Sequence, residues 1–544
     1  MSISGLFNIG TSALLASQTA LAVTSNNIAN VSTPGYSKQA VTLAISTPVG
    51  TAQGALGTGV TVAGINRSYD QFVEAQLIGQ QQNQGRSAAL DLTLGQVEPV
   101  FNEAQGVGLS TALSDFFNAW QDVSTNPTSQ SGRLVLIQKG DALSATAKQI
   151  ENGLTNAVNG ANSGIKTAVG QINTLATDIA ALNDEIIRQE AGSTLNTANE
   201  LRDQRQQKLG VLAGLVDFSS YEDQNGAVNI TIGMRTIVSG TQASQIATKT
   251  NADGNPDLYL DGINITSTVQ KGQLGGLIAA RDQIQTNIQP GFRKLIASIT
   301  QQINMQHEAG FGLDGSTGNS FFSPLQQLTT TQNSAGATIA ASITNPALLT
   351  LDEYKITFDA GGNYAVYKKN DSSVPPVAVA AGVYSSGAPI ALPGMSVTIT
   401  GAVTPADTFT VSPLAKAVSN FSVVATDPKK IAAAAAATQL PGDNSNAILI
   451  AQLGHTAQTA IGNTTFSGYY NGIVSLVGTQ KQTSADSLTF DTNLLTAFQT
   501  RRDSISGVSL DEEAANLLRF QRSYEAGARL ITVTDQLMQT VLNL

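Results

Sequence analysis

The chain has 544 residues, with 39 acidic against 29 basic side chains, a net charge of −10 and a pI near 4.8. Charged residues are only 12% of the total, about half the share of an ordinary domain, and there is no cysteine and only two histidines, His307 and His455. This excludes disulfides, thiolate nucleophiles and Cys–metal sites, makes histidine catalysis and zinc chemistry remote, and argues against a nucleic-acid surface.

The length implies three or four domains. Gln, Asn, Ser, Thr, Ala and Gly fill the place of charges, giving a polar, weakly charged surface suited to packing against many neighbours. The N-terminus lacks the basic and continuous apolar regions of a secretory signal. No run approaches the roughly 18 apolar residues of a membrane span, so none is expected.

The first element is a helix ending near Asn30. Phe7, Leu14, Leu21 and Ile28 recur every seven residues. Gly10, Ala13, Ser17, Ala20 and Thr24 lie between them, so this helix can approach another closely. Val31 to Gly35 reads as a turn, with Pro34 presetting one central position and Gly35 free to take positive φ. Val41 to Ile65 alternates as strands. Its Gly54, Gly57 and Gly59 have the wrong spacing for a dinucleotide loop and mark hairpin turns.

Tyr69 to about Leu215 is helical. Leu109 to Trp120 is amphipathic, with Phe116, Phe117 and Trp120 expected in the core. Ile165, Ala168, Ile172, Leu175, Ile179, Leu182 and Ile186 alternate three and four apart, a coiled-coil seam in an elongated antiparallel bundle. The charge cluster Asn199 to Arg205 reads as a solvated or packing face. Val216 to Thr266 turns to strands. Within it, Asn251, Asp253, Asn255 and Asp257 resemble a calcium loop, but Pro256 and Gly262 replace the required glycine and glutamate, so a polar hairpin turn is expected.

Leu274 to about His307 returns to helix. Ser320 to Thr426 holds half of the prolines and alternates at Tyr354, Ile356 and Phe358, at Tyr364 and Val366, at Val397 and Ile399, and at Phe409 and Val411. This predicts a small antiparallel β domain inserted with its ends close together. Asp427-Pro428 then opens a helix through six alanines, Ala432 to Ala437. After the Pro441 to Asn444 turn, Ala447 to Ala460 continues helical, capped by Asp443 or Asn444. Thr465 to Arg502 is a polar helix.

The last 39 residues form one long helix. Ser509 caps it and Glu512 completes a capping box. Leu510, Leu517, Tyr524, Ile531 and Met538 recur every seven residues, flanked by Ala514, Phe520, Ala528 and Val541. Gly527 alone interrupts it, at about 1 kcal/mol. Such a stripe needs a partner, and the N-terminal stripe supplies one. The expected fold is multidomain α+β. Residues 1–65 and 505–544 form paired terminal coiled-coil helices with a β-hairpin. Residues 66–320 and 428–504 form an elongated helical bundle with β-hairpins near 216–266, and 321–427 form an inserted antiparallel β domain.

NNIANVSTPGYSKQ, Asn26 to Gln39, resembles the N-terminal signature of the bacterial flagellar axial proteins of rod, hook and hook-associated type. Asn27, Asn30, Thr33, Gly35 and Tyr36 fall on positions of that pattern. PGDNSNA (441–447), LSTALSDFFNAW (109–120), DGINITSTVQKGQLGGLIAARD (261–282) and the terminal helix narrow the resemblance to the hook-associated proteins of the hook–filament junction. It covers nearly the whole chain except the β insertion, which rests on pattern alone.

The resemblance implies a structural protein without catalytic residues, metal or cofactor, forming a ring-like layer of copies between hook and filament. Hook protein would lie below and a second junction protein above. A cytoplasmic chaperone would hold the C-terminal helix before unfolded export through the flagellar type III apparatus to the cell exterior, without a cleavable signal. A hook or rod component, and an adhesin using the β insertion, stand as alternatives. No His/Glu zinc motif or acidic pair at catalytic spacing speaks for an enzyme.

Overall fold

The protein is described by a computed structural model covering residues 3–51, 54–103, 108–191, 197–325, 328–334, 336–369, 373 and 375–543. Its helices are α1 (Ile3–Ala29), α2 (Gln71–Val97), α3 (Leu109–Thr125), α4 (Gln130–Glu190) and α5 (Asn199–Leu215), then α6 (Gly272–Gln283), α7 (Gln289–Ala309), α8 (Ser445–Leu453), α9 (Phe466–Ser506) and α10 (Leu510–Leu542). Leu544 lies outside the described residues. Short antiparallel sheets complete a multidomain α+β chain.

The bundle is organised by α4, 61 residues and roughly 90 Å long. It starts at Ser129, whose Oγ accepts from Gly132 N at 3.1 Å. Its first half buries Leu136, Leu143, Ile150 and Leu154 among α3, α7, α8 and α9. Its second half buries the predicted stripe from Ile165 to Ile186, with Leu182 partly exposed. The partner there is not another coiled-coil helix. Strands Val228–Ile232, Arg235–Ser239 and Ile246–Thr250 cover the stripe together with α5 and α6. A three-four spacing says that one side is apolar and does not say what lies against it. α6 and α7 join through a π turn, Ile284–Ile288, ahead of Pro290, which has no amide hydrogen for the ladder. The turn after Ile246–Thr250 is a polar hairpin, with Asn251 Oδ1 accepting from the amides of Asp253 and Asn255.

The insertion is a two-sheet sandwich. One sheet runs Thr329–Asn333, Thr408–Ser412, Tyr354–Phe358, Asn363–Lys368, Ala378–Val383; the other runs Ala337–Ile343, Met395–Gly401, Pro389–Leu392. The alternating residues predicted to point inward (Tyr354, Ile356, Phe358, Val366, Val397, Ile399, Phe409 and Val411) are buried between them. Its two ends are hydrogen bonded, Ser323 N to Ser422 O and Val424 N to Phe321 O, both at 2.9 Å. It is seated on α7 by Gln301 Nε2, which donates to Pro346 O and Leu349 O, and by the Lys294–Asp352 ion pair at 2.9 Å.

The alanine run corrects the expected helix. Pro428–Lys430 and Ala437–Gln439 are single 3-10 turns, and the stretch between them is extended. Six alanines are too few to nucleate a helix, and the small side chain lets an extended segment pass between α7 and α8. His307 Nε2 accepts from Ala432 N at 3.0 Å, Asn446 Nδ2 donates to Ala432 O at 2.7 Å, and Phe311 N donates to Ala434 O at 2.8 Å. The fully buried His307 also bonds Asn319 O through Nδ1 at 2.6 Å, so one imidazole staples the strands leading into and out of the insertion. Beside it, buried Arg133 donates to Pro127 O and Ile431 O. Helix α8 is shorter than predicted and stops at Gly454, where a Cβ would lie 2.7 Å from the Phe117 ring. The amide of its first residue, Ser445, donates to Asp443 Oδ1, while Asn444 Nδ2 donates to Ser124 O. Phe116, Phe117 and Trp120 are buried as predicted.

By length and mean hydropathy (1.3 over 18 residues) α1 is, among the described residues, apolar enough to cross a bilayer, which a search for unbroken apolar runs misses. Here α1 is committed to α10 and to the hairpin that follows it.

Candidate functional site

The two ends of the chain meet in the α1–α10 pair. Buried positions on α1 are small: Gly10, Ser17, Ala20, Thr24 and Asn27. On α10 they are Glu513, Gly527 and Thr534, seven or fourteen residues apart, with Phe520 half-buried in the same column. Gly10 and Gly527 face each other across the pair. A Cβ on Gly10 would lie 2.9 Å from Ile531 Cγ1 and 3.6 Å from Gly527 O.

The larger heptad columns run along the margins. Leu14, Leu21 and Ile28 are half-buried and Phe7 is exposed. Leu517 and Ile531 are half-buried, whereas Leu510, Tyr524 and Met538 are exposed. Close approach requires small residues on the line between the axes, so the large ones cover its flanks. Ser509 Oγ accepts from Glu512 N at 3.5 Å, and the Glu512 carboxylate turns to Lys38 Nζ at 3.3 Å instead of back to its own cap.

The signature turn knots this pair together. Asn30 Nδ2 donates to Asn26 O and Oδ1, and Thr33 Oγ1 donates to Asn30 Oδ1 at 3.1 Å, closing the end of α1. Gly35 takes φ +81° over Gln207 of α5. Asn27 uses its whole amide. Nδ2 donates to Gln39 O at 2.8 Å and to Glu513 Oε2 at 3.2 Å; Oδ1 accepts from Gln39 N at 3.0 Å and Tyr36 Oη at 2.8 Å. One side chain thus joins α1, the start of strand Gln39–Ile45 and α10. Burial, with the carboxylates of Glu200, Asp203 and Glu513 nearby, pushes the Tyr36 phenol up to about 12. Its role is therefore that of a fixed hydrogen-bond donor.

The same turn is latched to the bundle by the charge cluster. Asp203 accepts from Ser37 N and Ser37 Oγ, each at 2.8 Å, and from Arg67 Nη1 at 2.9 Å. Gln39 Nε2 donates to Glu200, and Asn199 Nδ2 to Ile65 O. Arg202 is held between Glu190 and Glu222 at 2.9 and 2.7 Å, and Arg205 by Glu222 and the Gly226 carbonyl. Asn199, Arg202, Asp203 and Arg205 are buried, which settles the solvated-or-packing alternative in favour of packing for these four, while Glu200 and Gln204 are exposed. Asp203, Arg67 and Glu513 are the residues that sequence reasoning missed; the density of charge at Asn199 to Arg205 in a charge-poor chain was the signal for the first. The chain crosses between terminal unit and bundle twice, near Ser68 and near Ser506, and Lys38 bridges the two crossings. Its amide donates to Ser506 O at 2.8 Å and its carbonyl accepts from Ser68 N at 2.7 Å. Among the described residues no group of three or more His, Asp or Glu side chains is placed to hold a metal ion.

Similarity to known proteins follows this architecture. The profile of the flagellar hook-associated protein FlgK helical domain matches residues 94–322, and that of the flagellar hook-associated protein 1 D2-like domain matches 328–413. Two flagellar basal body rod profiles match the ends, at 7–36 and 501–544. Flagellar hook-associated protein 1 of Escherichia coli K12 is 30% identical over the full length of both chains. That of Bacillus subtilis 168 is 28% identical over 98% of this chain and 96% of its own. The solved structure of the flagellar hook junction protein FlgK from Burkholderia pseudomallei has the same fold, with a TM-score of 0.69 at 19% identity, covering 79% of this chain and all of that one. The chain belongs to the flagellar hook-associated protein 1 family.

Proposed function

We propose that the chain is the structural layer joining hook to filament in the bacterial flagellum, built of copies standing side by side in a ring. The observation that carries this reading is the terminal unit. Its two helices are packed tightly on each other and latched to the bundle, while Leu510, Leu518, Val533, Leu537 and Val541 of α10 remain exposed. A lone soluble chain gains nothing from such a row, whereas neighbouring copies bury it.

In this reading hook protein contacts the layer from below and a second junction protein from above. The Phe7, Leu14, Leu21 and Ile28 column and the Leu510 to Met538 column serve assembly, and the β insertion faces outward. The chain travels to the cell exterior unfolded through the flagellar type III apparatus, with an export chaperone holding the α10 segment beforehand. Its action is mechanical, not catalytic.

The test is electron microscopy of cells lacking the gene, with flagellin assayed in the medium. Bare hooks with monomeric flagellin in the medium support the reading. Loss of hooks would move the protein down to rod or hook, and normal filaments would refute a junction role.

A further inference from the structure

A cleft of about 820 Å³ opens between α2, α5 and strand Ser219–Glu222, beside the joint of terminal unit and bundle. On α2 it is lined by Gln71, Glu74, Ile78 and Gln82, one face of the helix by their spacing of three and four. Ser219, Ser220, Tyr221 and Glu222 all line it from the other side. A sheet face presents every second residue, so a cleft touching four in a row looks onto the edge of the strand. That edge is open. The sheet runs Ser219–Glu222, Val228–Ile232, Arg235–Ser239, Gln242–Ala243, and its first strand has a neighbour on one side only. All four of its residues are exposed, Tyr221 by 63%.

The strand is propped in place at both ends. Gln82 Nε2 donates to Phe218 O at 3.0 Å, and Glu222 is held by Arg202 and Arg205 at 2.7 and 2.8 Å. Between these ties about 13 Å of edge stays open, four residues at roughly 3.3 Å each.

The α2 wall carries an unbalanced charge. Glu74 is 6% exposed, its Oε2 accepts from the neutral Gln206 amide at 2.9 Å, and no Lys or Arg among the described residues pairs with it. Arg67 and Arg502, whose positive charges reach it from farther off, are bonded to Asp203 and Asp503. A carboxylate taken out of water without a cation is costly, and burial accordingly raises the Glu74 pKa. A cation arriving through the cleft removes that cost.

An open backbone edge and an unpaired carboxylate facing one cleft together fit an extended peptide with a basic side chain. A second copy of this chain is a poor source. All 29 of its Lys and Arg lie on helices, in short turns and connections, or on strands already paired.

We propose that the cleft binds an extended basic segment of a partner protein, which adds as a fifth strand along Ser219–Glu222 and sets a Lys or Arg head group on Glu74. One copy carries the whole site, so the proposal stands apart from the ring arrangement, and binding is read on the purified full-length monomer.

The probes are two labelled hexapeptides of alternating Thr and Val, one with a central Lys and one with Glu in its place. They are titrated to about 1 mM, the affinity range of a single short strand, and followed by fluorescence anisotropy and amide hydrogen exchange. The Lys peptide is expected to bind and to slow exchange at residues 219–222, with the Glu peptide at least about tenfold weaker. Glu74→Gln should weaken the Lys peptide about tenfold, the worth of a hydrogen bond to a charged group, and erase the preference for Lys over Glu. Gly79→Phe is the second variant. Gly79 lines the cleft and a Cβ there meets nothing within 4 Å, so the ring fills the cleft without displacing the core. It should abolish binding, whereas Gly79→Ala binds as wild type, and the Trp120 transition in urea stays unchanged in all three variants. No binding of the Lys peptide, equal binding of the two peptides, or binding that survives Gly79→Phe would each overturn the proposal. So would slowing of exchange at 219–222 by raising the monomer concentration alone, which would give the edge to a second copy.

Discussion

Replacing Asp203 by alanine isolates the latch between terminal unit and bundle. The carboxylate is nearly buried, as is the Arg67 guanidinium that it holds at 2.9 Å. Breaking a buried pair by removing one partner costs about 3–5 kcal/mol, and here Arg67 keeps some access to water, which favours the lower end. Ser37 N–H and Oγ–H also lose their acceptor. About 3 kcal/mol raises the open population of the joint a little over a hundredfold, at 1.36 kcal/mol per factor of ten. Trypsin reads this directly, because Lys38 and Arg67 are the first two basic residues of the chain and both lie at this joint. Cleavage after Lys38 in the purified monomer should accelerate by about that factor, as expected when opening is fast relative to cutting. Trp120, the sole tryptophan, sits in the other core cluster of the bundle, so its fluorescence transition in urea should move by less than about 0.5 kcal/mol. Adding Arg67→Leu should restore part of the protection by removing the orphaned charge. An unchanged cleavage rate in Asp203→Ala would refute the latch. A Trp120 transition lowered by the full 3 kcal/mol would mean that joint and bundle are one cooperative unit.

His307 should make the base of the insertion acid-sensitive. Burial, with Arg133 nearby, pulls its pKa down to about 4 from about 6.5 in the unfolded chain, so its stabilising contribution is complete above pH 6.5 and falls as pH drops towards 4. Wild type should lose up to about 1.4 kcal/mol per pH unit across that window relative to His307→Gln, measured by urea unfolding; a constant difference between pH 7.5 and 4.5 would refute this. Arg133→Met should cost about 2–4 kcal/mol in the Trp120 transition, because the carbonyls of Pro127 and Ile431 lose their donor inside the core. At the helix crossing, Gly10→Leu should abolish filaments, since even a Cβ there meets Ile531, whereas Gly527→Ala, with 3.4 Å to its nearest neighbour, should leave swimming unchanged and helicity slightly raised. Ile531→Asp and Leu517→Asp should likewise block assembly with an unchanged Trp120 transition, both scored by filament counts and fluorescence.

Period and turn chemistry carried much of the architecture. The alternation at Tyr354–Phe358 and Phe409–Val411 placed inner faces of the sandwich. What escaped was long-range. The stripe from Ile165 to Ile186 is the same whether a helix or a sheet covers it. The alanine run failed because propensity yields to hydrogen bonds offered by His307 and Asn446, more than a hundred residues upstream and about a dozen downstream. At the site, the signature asparagines were visible as a string, but the partners of Asn27 and Ser37, Glu513 and Asp203, lie 486 and 166 residues away in sequence. The heptad columns drew attention to large side chains, while the tight contact belongs to Gly10, whose contribution is the space it leaves for Ile531.

The two crossings bridged at Lys38 have a mechanical consequence. A unit hung from one covalent strand can swivel about that strand, because single bonds turn freely. Here the chain crosses near residues 68 and 506, Lys38 is bonded to both, and Asp203 of the bundle holds Ser37 and Arg67 beside them. Twisting the terminal helices against the bundle would have to wind two backbones around each other and pull the buried Asp203 carboxylate away from Ser37 and Arg67. Two covalent strands bridged in this way resist torsion, so rotation applied at one end of the molecule is passed to the other.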